Sequence, residues 1–294
     1  MQTKKLLEEY AAGELLKAIR NLPEKSLSDA CEIRLRAGLP LIIRTTTTEH
    51  TSPYKPTARD LTSMLDKLAS HSLYAFDSEI KNGFITIGGG HRVGICGRVA
   101  LEGGKIKTIR HISGLNIRIA RQIIGAADPL LPYLPKPMNT LIISPPGGGK
   151  TTVLRDLTRQ LSLAGSHISV VDERSEIAGS HLGIQQNDLG PRTDVLDAAP
   201  KVEGMLMMLR AMSPDIICVD EIGATDDIEA IMSVACCGSK ILASLHGESI
   251  EDLQRKPALA PLLDNKIFER YVFLTTRPKP STLKAVYDKN FHPL

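Results

Sequence analysis

Residues 144–151 read Ser-Pro-Pro-Gly-Gly-Gly-Lys-Thr, between the apolar run Thr140–Ile143 and a helical stretch from Thr152. A glycine-rich segment in a strand–loop–helix context is the pattern of a phosphate-binding loop. Consecutive glycines let backbone N–H groups turn inward around a phosphate without Cβ clashes. On this reading Ser144, Pro145, Pro146, Gly147, Gly148, Gly149, Lys150, Thr151 and Thr152 form the segment that binds ATP. Lys150 would reach the β/γ-phosphates and Thr151 would offer its hydroxyl to Mg²⁺. Ser144 stands where the pattern has its first glycine, whose usual task is the tight exit from the strand. A glycine-rich surface turn is the plain alternative, and the sequence downstream argues against it.

Seventy residues after Lys150, the apolar run Ile216–Val219 ends in Asp220 and Glu221. Continuous hydrophobics suit a buried parallel strand, and acids at its C-terminal edge lie where α/β sheets bind ligands. Asp220 is the expected Mg²⁺ residue, with Thr151, and Glu221 the group that polarises attacking water. Two further apolar runs close in polar groups, Ile168–Val171 in Asp172-Glu173-Arg174 and Ile241–Ala243 in Ser244-Leu-His246. Glu173 competes with Glu221 as base, and the strand position favours Glu221. Ser244 or His246 could sense the γ-phosphate.

At 294 residues the chain is long enough for one large or two ordinary domains. The five cysteines form no C-x-x-C pair, which fits reduced thiols rather than disulfides or zinc. No apolar run approaches the ~18–20 residues that span a bilayer, and Met1-Gln-Thr-Lys-Lys leads into no signal-peptide core, so a cytoplasmic protein is expected. Residues 1–138 carry 20 Lys and Arg against 13 Asp and Glu, whereas residues 139–294 carry 16 against 20. A basic first half suits nucleic acid, an anionic surface, an acidic partner or the phosphates of nucleotide on a neighbouring subunit.

Periodicity predicts a helix over 4–22, strands at Glu32–Arg36 and Leu41–Arg44, and a helix from Thr57 to Leu73. Strands follow at Phe84–Ile87, His91–Leu101, Lys105–Ile112 and Leu115–Ile119, an antiparallel α+β domain over 1–124. Residues 125–138, with a short helix and several prolines, read as a linker. Over 139–294 strands alternate with helices, which predicts a parallel sheet. The methionines of Lys201–Met212 read as packing.

Ser213-Pro-Asp-Ile-Ile-Cys-Val-Asp-Glu-Ile222, Gln185-Gln-Asn-Asp-Leu-Gly190, Val171-Asp-Glu-Arg174, Ala243-Ser-Leu-His-Gly247 and Glu32–Arg44 resemble the RecA-like hexameric ATPases of type II/IV secretion systems and pilus motors. Gly89–Gly97, Arg110–Ile119, Asp172–Gly179 and Asp188–Asp197 resemble a sporulation-associated branch of that superfamily, tied to the channel between mother cell and forespore. The resemblance implies a RecA-like P-loop ATPase domain preceded by a smaller α+β domain, with ATP held between domains and between subunits of a homo-oligomeric ring, a hexamer. It implies an ATP-hydrolysing motor, peripheral to the membrane on the mother-cell side, that energises membrane-embedded channel subunits. It also brings arginines toward phosphate, with Arg110, Arg118 and Arg192 as candidates, against the alternative of surface salt bridges. Gly223, Asp220, Ser144 and the missing cysteine zinc module depart from the motors' pattern. A nucleic-acid translocase is the rival reading, weakened by few stacking aromatics in the basic half: Tyr10, Tyr54, Tyr74, Phe76, Phe84 and Tyr133. A non-hydrolysing scaffold, suggested by Ser144, is the third.

Overall fold

Side chains in Glu32–Arg36 alternate between half-buried and buried, with Ile33 and Leu35 pointing inward, and this segment forms strand β1. The computed structural model describes residues 2–69, 76–81 and 83–294. They divide into two compact units, Met1–Arg121 and Gln122–Leu294. In the first, β1 is joined by β2 (Leu41–Arg44), β3 (Glu49–Ser52), β4 (Phe84–Ile87), β5 (His91–Glu102) and β6 (Lys105–Arg118). The order is β3-β2-β1-β6-β5-β4, antiparallel throughout. Helices α1 (Gln2–Tyr10), α2 (Gly13–Arg20), α3 (Glu24–Ser28), α4 (Ala58–Leu68) and α5 (Asp77–Lys81) accompany the sheet. Leu7, Leu15, Ile19, Leu61 and Leu65 share one core with Ile33, Leu35, Val93 and Ile117.

Three expectations for this unit change. The single helix over 4–22 is two helices, broken at Ala11–Ala12 where Gly13 takes φ +54°. The helix from Thr57 is capped by the Thr57 hydroxyl and the Asp60 carboxylate in a reciprocal box, and it runs to Leu68. Its expected end at Leu73 lies outside the described residues. The strands at 105–112 and 115–119 are one strand, because β1 and β5 pair with Gly114 from either side and carry the ladder through it.

In the second unit β7 (Thr140–Ser144), β8 (Ile168–Asp172), β9 (Thr193–Asp197), β10 (Ile216–Val219), β11 (Lys240–His246), β12 (Arg270–Thr275) and β13 (Thr282–Asp288) form a sheet ordered β13-β12-β7-β11-β10-β8-β9. All neighbours are parallel except β12 and β13. Strands β7, β8 and β10 are buried along their whole length, as two covered faces demand. Alternation sends Ile142 and Val170 toward α6 (Lys150–Leu163), with Val153 and Leu157, and sends Ile143 and Val171 toward α7 (Lys201–Met212) and α8 (Thr225–Cys236). Two short helices, α9 (Ile250–Gln254) and α10 (Ala260–Asp264), follow β11. Residues 125–138, read from sequence as a linker, fall inside this unit. Asp128–Tyr133 is a 3₁₀ turn, Ala127, Leu130 and Leu134 join the α6 core, and the Ala127 N–H donates to Asp156 at 2.9 Å. In α7, Met205 and Met208 are buried while Met207 and Met212 face solvent.

Candidate functional site

Parallel strands end on one rim, so β7, β11, β10 and β8 deliver Ser144, His246, Asp220 and Asp172 to the same edge of the sheet. The loop leaving β7 takes its shape from glycine. Gly147 and Gly149 lie at φ +72° and +85°, and a Cβ on Gly148 would collide with the Ser144 hydroxyl. Ser144 itself is fully buried within β7, outside the left-handed region, with its hydroxyl donating to Pro145 O at 2.9 Å. The steric demand that the pattern places on its first glycine therefore falls here on Gly148, and Ser144 fits without strain.

The first helical bond of α6 runs from the Val153 N–H to Gly149 O at 3.0 Å. Among the described residues the N–H groups of Gly149, Lys150, Thr151 and Thr152 have no acceptor, a donor set suited to phosphate oxygens at a helix N-terminus. The Lys150 side chain emerges beside them, 8% exposed. Burial holds its ammonium below the usual lysine range, and Asp220, Glu221 and Glu176 pull it back up.

Thr151 Oγ1 donates to Asp220 Oδ2 at 2.7 Å, and the Ser244 hydroxyl donates to the other Asp220 oxygen. The same Ser244 oxygen accepts the Glu221 N–H at 3.0 Å. Glu221 takes a left-handed φ of +53°, and Lys201 Nζ donates to its carbonyl at 2.8 Å. One Glu221 oxygen meets His246 Nε2 at 2.7 Å and the other meets Arg174 Nη1 at 2.8 Å. His246 Nδ1 lies 2.9 Å from Lys150 Nζ, so the lysine donates there and the ring proton sits on Nε2, facing Glu221. Glu173 is turned to Lys201 at 3.3 Å. Asp172 accepts the N–H groups of Glu176, Ile177 and Ala178 at 2.8–2.9 Å. Burial pushes its carboxyl up to about 6 against those bonds, with Asp197 and Asp220 adding to the rise.

Lys150, Thr151, Asp220, Glu221, Ser244 and His246 thus meet, while Glu173 stands one ion pair away. Arg192 does not join them. Its carbonyl accepts the Ile168 N–H and its own N–H bonds Ser162, at the end of β8 opposite Asp172. Arg110 and Arg118 belong to the first unit, both exposed and both on β6 rather than on successive strands; Arg110 is opposite Arg98 and Arg118 opposite Glu32. Three contributors escape sequence reasoning. Arg174 closes the family-like segment Val171–Arg174 with no role read from it, Lys201 opens α7 just past the segment Asp188–Asp197, and Arg155 clamps the Glu176 and Ile177 carbonyls at 2.6 and 2.8 Å. Only the positive charge of Arg174, beside two acids, gave a signal.

A family model described as Sporulation stage III, protein AA, matches residues 2–293. Stage III sporulation protein AA of Bacillus subtilis (strain 168) is 43% identical over 292 residues, covering 97% of this chain and 95% of that protein. Among solved structures, the Legionella pneumophila ATPase DotB matches with 15% identity and a TM-score of 0.56 over 85% of this chain and 73% of its own. The pilus retraction motor PilT with bound ADP matches with 15% identity and a TM-score of 0.57 over 91% and 77%. The fold is that of the RecA-like ATPases, preceded by an N-terminal α+β unit.

Proposed function

The chain belongs to the Sporulation stage III, protein AA family, and from that premise we propose that it is an ATP-hydrolysing motor of the secretion-ATPase type. The observation that carries this reading is the convergence of Lys150, Thr151, Asp220, Glu221 and His246 in one hydrogen-bonded cluster at the mouth of the glycine loop. The free N–H groups from Gly149 to Thr152 and the Lys150 ammonium take the phosphate oxygens of ATP. Thr151 and Asp220 offer the hard oxygen ligands that Mg²⁺ prefers, and the ion when bound would neutralise charge on those phosphates. Glu221 accepts the proton of the water that attacks the γ-phosphorus, and the bond to the β–γ bridging oxygen breaks to leave ADP. An incoming water exchanges with Arg174 on the Glu221 carboxylate at little cost, since Arg174 is 65% exposed and the pair is solvent-screened. Ser244 and Lys201 hold the Asp220–Glu221 backbone while this happens.

Among the described residues no helix is long and apolar enough to cross a membrane. We read the chain as a cytoplasmic ring that delivers its work to membrane-embedded partners on the mother-cell side, with Arg110 or Arg118 serving a neighbouring subunit's phosphates. Hydrolysis by the purified chain and by Glu221→Gln, with oligomer mass recorded in each nucleotide state, tests this. Turnover lost in the variant together with an ATP-dependent ring supports the motor. Tight binding with no turnover in either protein would leave a scaffold, and DNA-stimulated turnover would move the work to nucleic acid.

A further inference from the structure

The phosphate loop does not hold its shape alone. The β12–β13 connection, residues 276–281, reaches it from the far end of the unit's sequence. The Ser281 N–H donates to Gly148 O at 2.9 Å, and the Ser281 hydroxyl donates to Gly149 O at 3.4 Å. The approach is close enough that a Cβ on Gly149 would collide with Ser281. Ser281 makes it from φ +64°, a conformation uncommon for serine, directly after Pro280.

A trans peptide points its C=O and the following N–H in opposite directions. Tying the Gly148 carbonyl to Ser281 therefore turns the Gly149 N–H to the other side of the loop. Tying the Gly149 carbonyl, which also receives the Val153 N–H, does the same for the Lys150 N–H. These are two of the donors without an acceptor among the described residues.

We infer that Ser281 is a positioning residue for nucleotide phosphate: it holds two successive peptides with their carbonyls outward so that the Gly149 and Lys150 N–H groups face the ligand. The inference rests on the nucleotide-binding reading above. It assigns to the β12–β13 connection a share of phosphate affinity, not of chemistry. The main bond comes from a backbone N–H, so the informative substitution is proline, which lacks that donor and fixes φ near −65°. Glycine keeps the donor and takes the positive φ freely.

The test is the affinity of the full chain for a fluorescent ADP analogue, with kcat and KM for ATP, in wild type, Ser281→Gly and Ser281→Pro. Ser281→Gly keeps the N–H tie on Gly148 O and loses only the long hydroxyl tie on Gly149 O, so it should bind about two- to three-fold more weakly than wild type. Ser281→Pro should bind at least ~10-fold more weakly, with KM rising and kcat at saturation falling far less. Hydrogen exchange on the wild-type chain needs no variant to fold and should find the Ser281 amide protected. Wild-type binding with unchanged affinity in Ser281→Pro, or a Ser281 amide exchanging at the free rate, overturns the inference alone. Absence of binding by the wild type overturns the nucleotide reading itself.

Discussion

Lys150 Nζ and His246 Nδ1 stand 2.9 Å apart, ninety-six residues distant in sequence. Through this ring the phosphate-loop cation is coupled to Glu221, which the opposite ring nitrogen meets at 2.7 Å. A change at either end is felt at the other, because the ring can donate only one proton while neutral.

His246→Ala should therefore lower kcat for ATP about 10- to 100-fold, the lower range for losing a group that orients a base. Nucleotide affinity should change less than about three-fold, since the loop N–H groups remain. Steady-state kinetics paired with direct binding separates the two effects. An equal loss in both would place His246 in binding instead.

Lys150→Ala removes the cation at the loop. Hydrolysis should fall below detection and nucleotide affinity at least ~10-fold, given the phosphate contact lysine makes in such loops. Calorimetry and a phosphate-release assay read both, and retained turnover would sink the site assignment.

A methyl group at position 148 would strike the Ser144 hydroxyl and lie 3.0 Å from Pro145 O. Gly148→Ala should abolish nucleotide binding, whereas Ser144→Gly should leave affinity within about two-fold, because Ser144 occupies ordinary strand backbone. The double variant should recover part of the loss, with the Pro145 contact holding back the rest. No recovery would mean that the collision is not with Ser144.

Asp172 gives a pH signature. Its folded carboxyl sits near 6 against an ordinary 3.8, so between these values the folded chain binds more proton than the unfolded chain. Its contribution is most favourable below the unfolded value and is lost as pH rises through about 6, a cost of roughly 3 kcal/mol above that. Relative to Asp172→Asn, the wild type should lose stability from pH 4 to 6 and then run parallel. Urea midpoints across that range measure the difference, and a constant offset would contradict the shift.

Tyr271 is fully buried, and its hydroxyl has no partner among the described residues. Burial pushes the phenol up to about 12. Tyr271→Phe keeps the ring contacts with Phe268 and Phe291 and removes an unsatisfied donor. It should be neutral or stabilise by about 1 kcal/mol, read by thermal or urea unfolding.

Much of this was legible in the chain. Glycine spacing, continuous apolar runs and the acids that end them are local properties, and they marked β7, β8, β10 and β11 together with Lys150, Thr151, Asp220, Glu221 and His246. Parallel strands share one rim, so a reader of the runs could already expect those residues at one edge. Composition could not say that β11 separates β7 from β10, which decides that His246 stands between Lys150 and Glu221. Nor could periodicity see that Gly114 would be carried through a strand by neighbours on both sides, or that residues 125–138 would pack under α6. Lys201, Arg155 and Ser281 carry no motif and Arg174 had no role read from its own; their roles arise from hydrogen bonds closed across 20 to 132 residues. Which carbonyl a distant N–H finds depends on strand order and loop reach. Only the tertiary structure decides these, because each such bond joins groups distant in sequence that meet only through the strand order and loop paths of the folded unit.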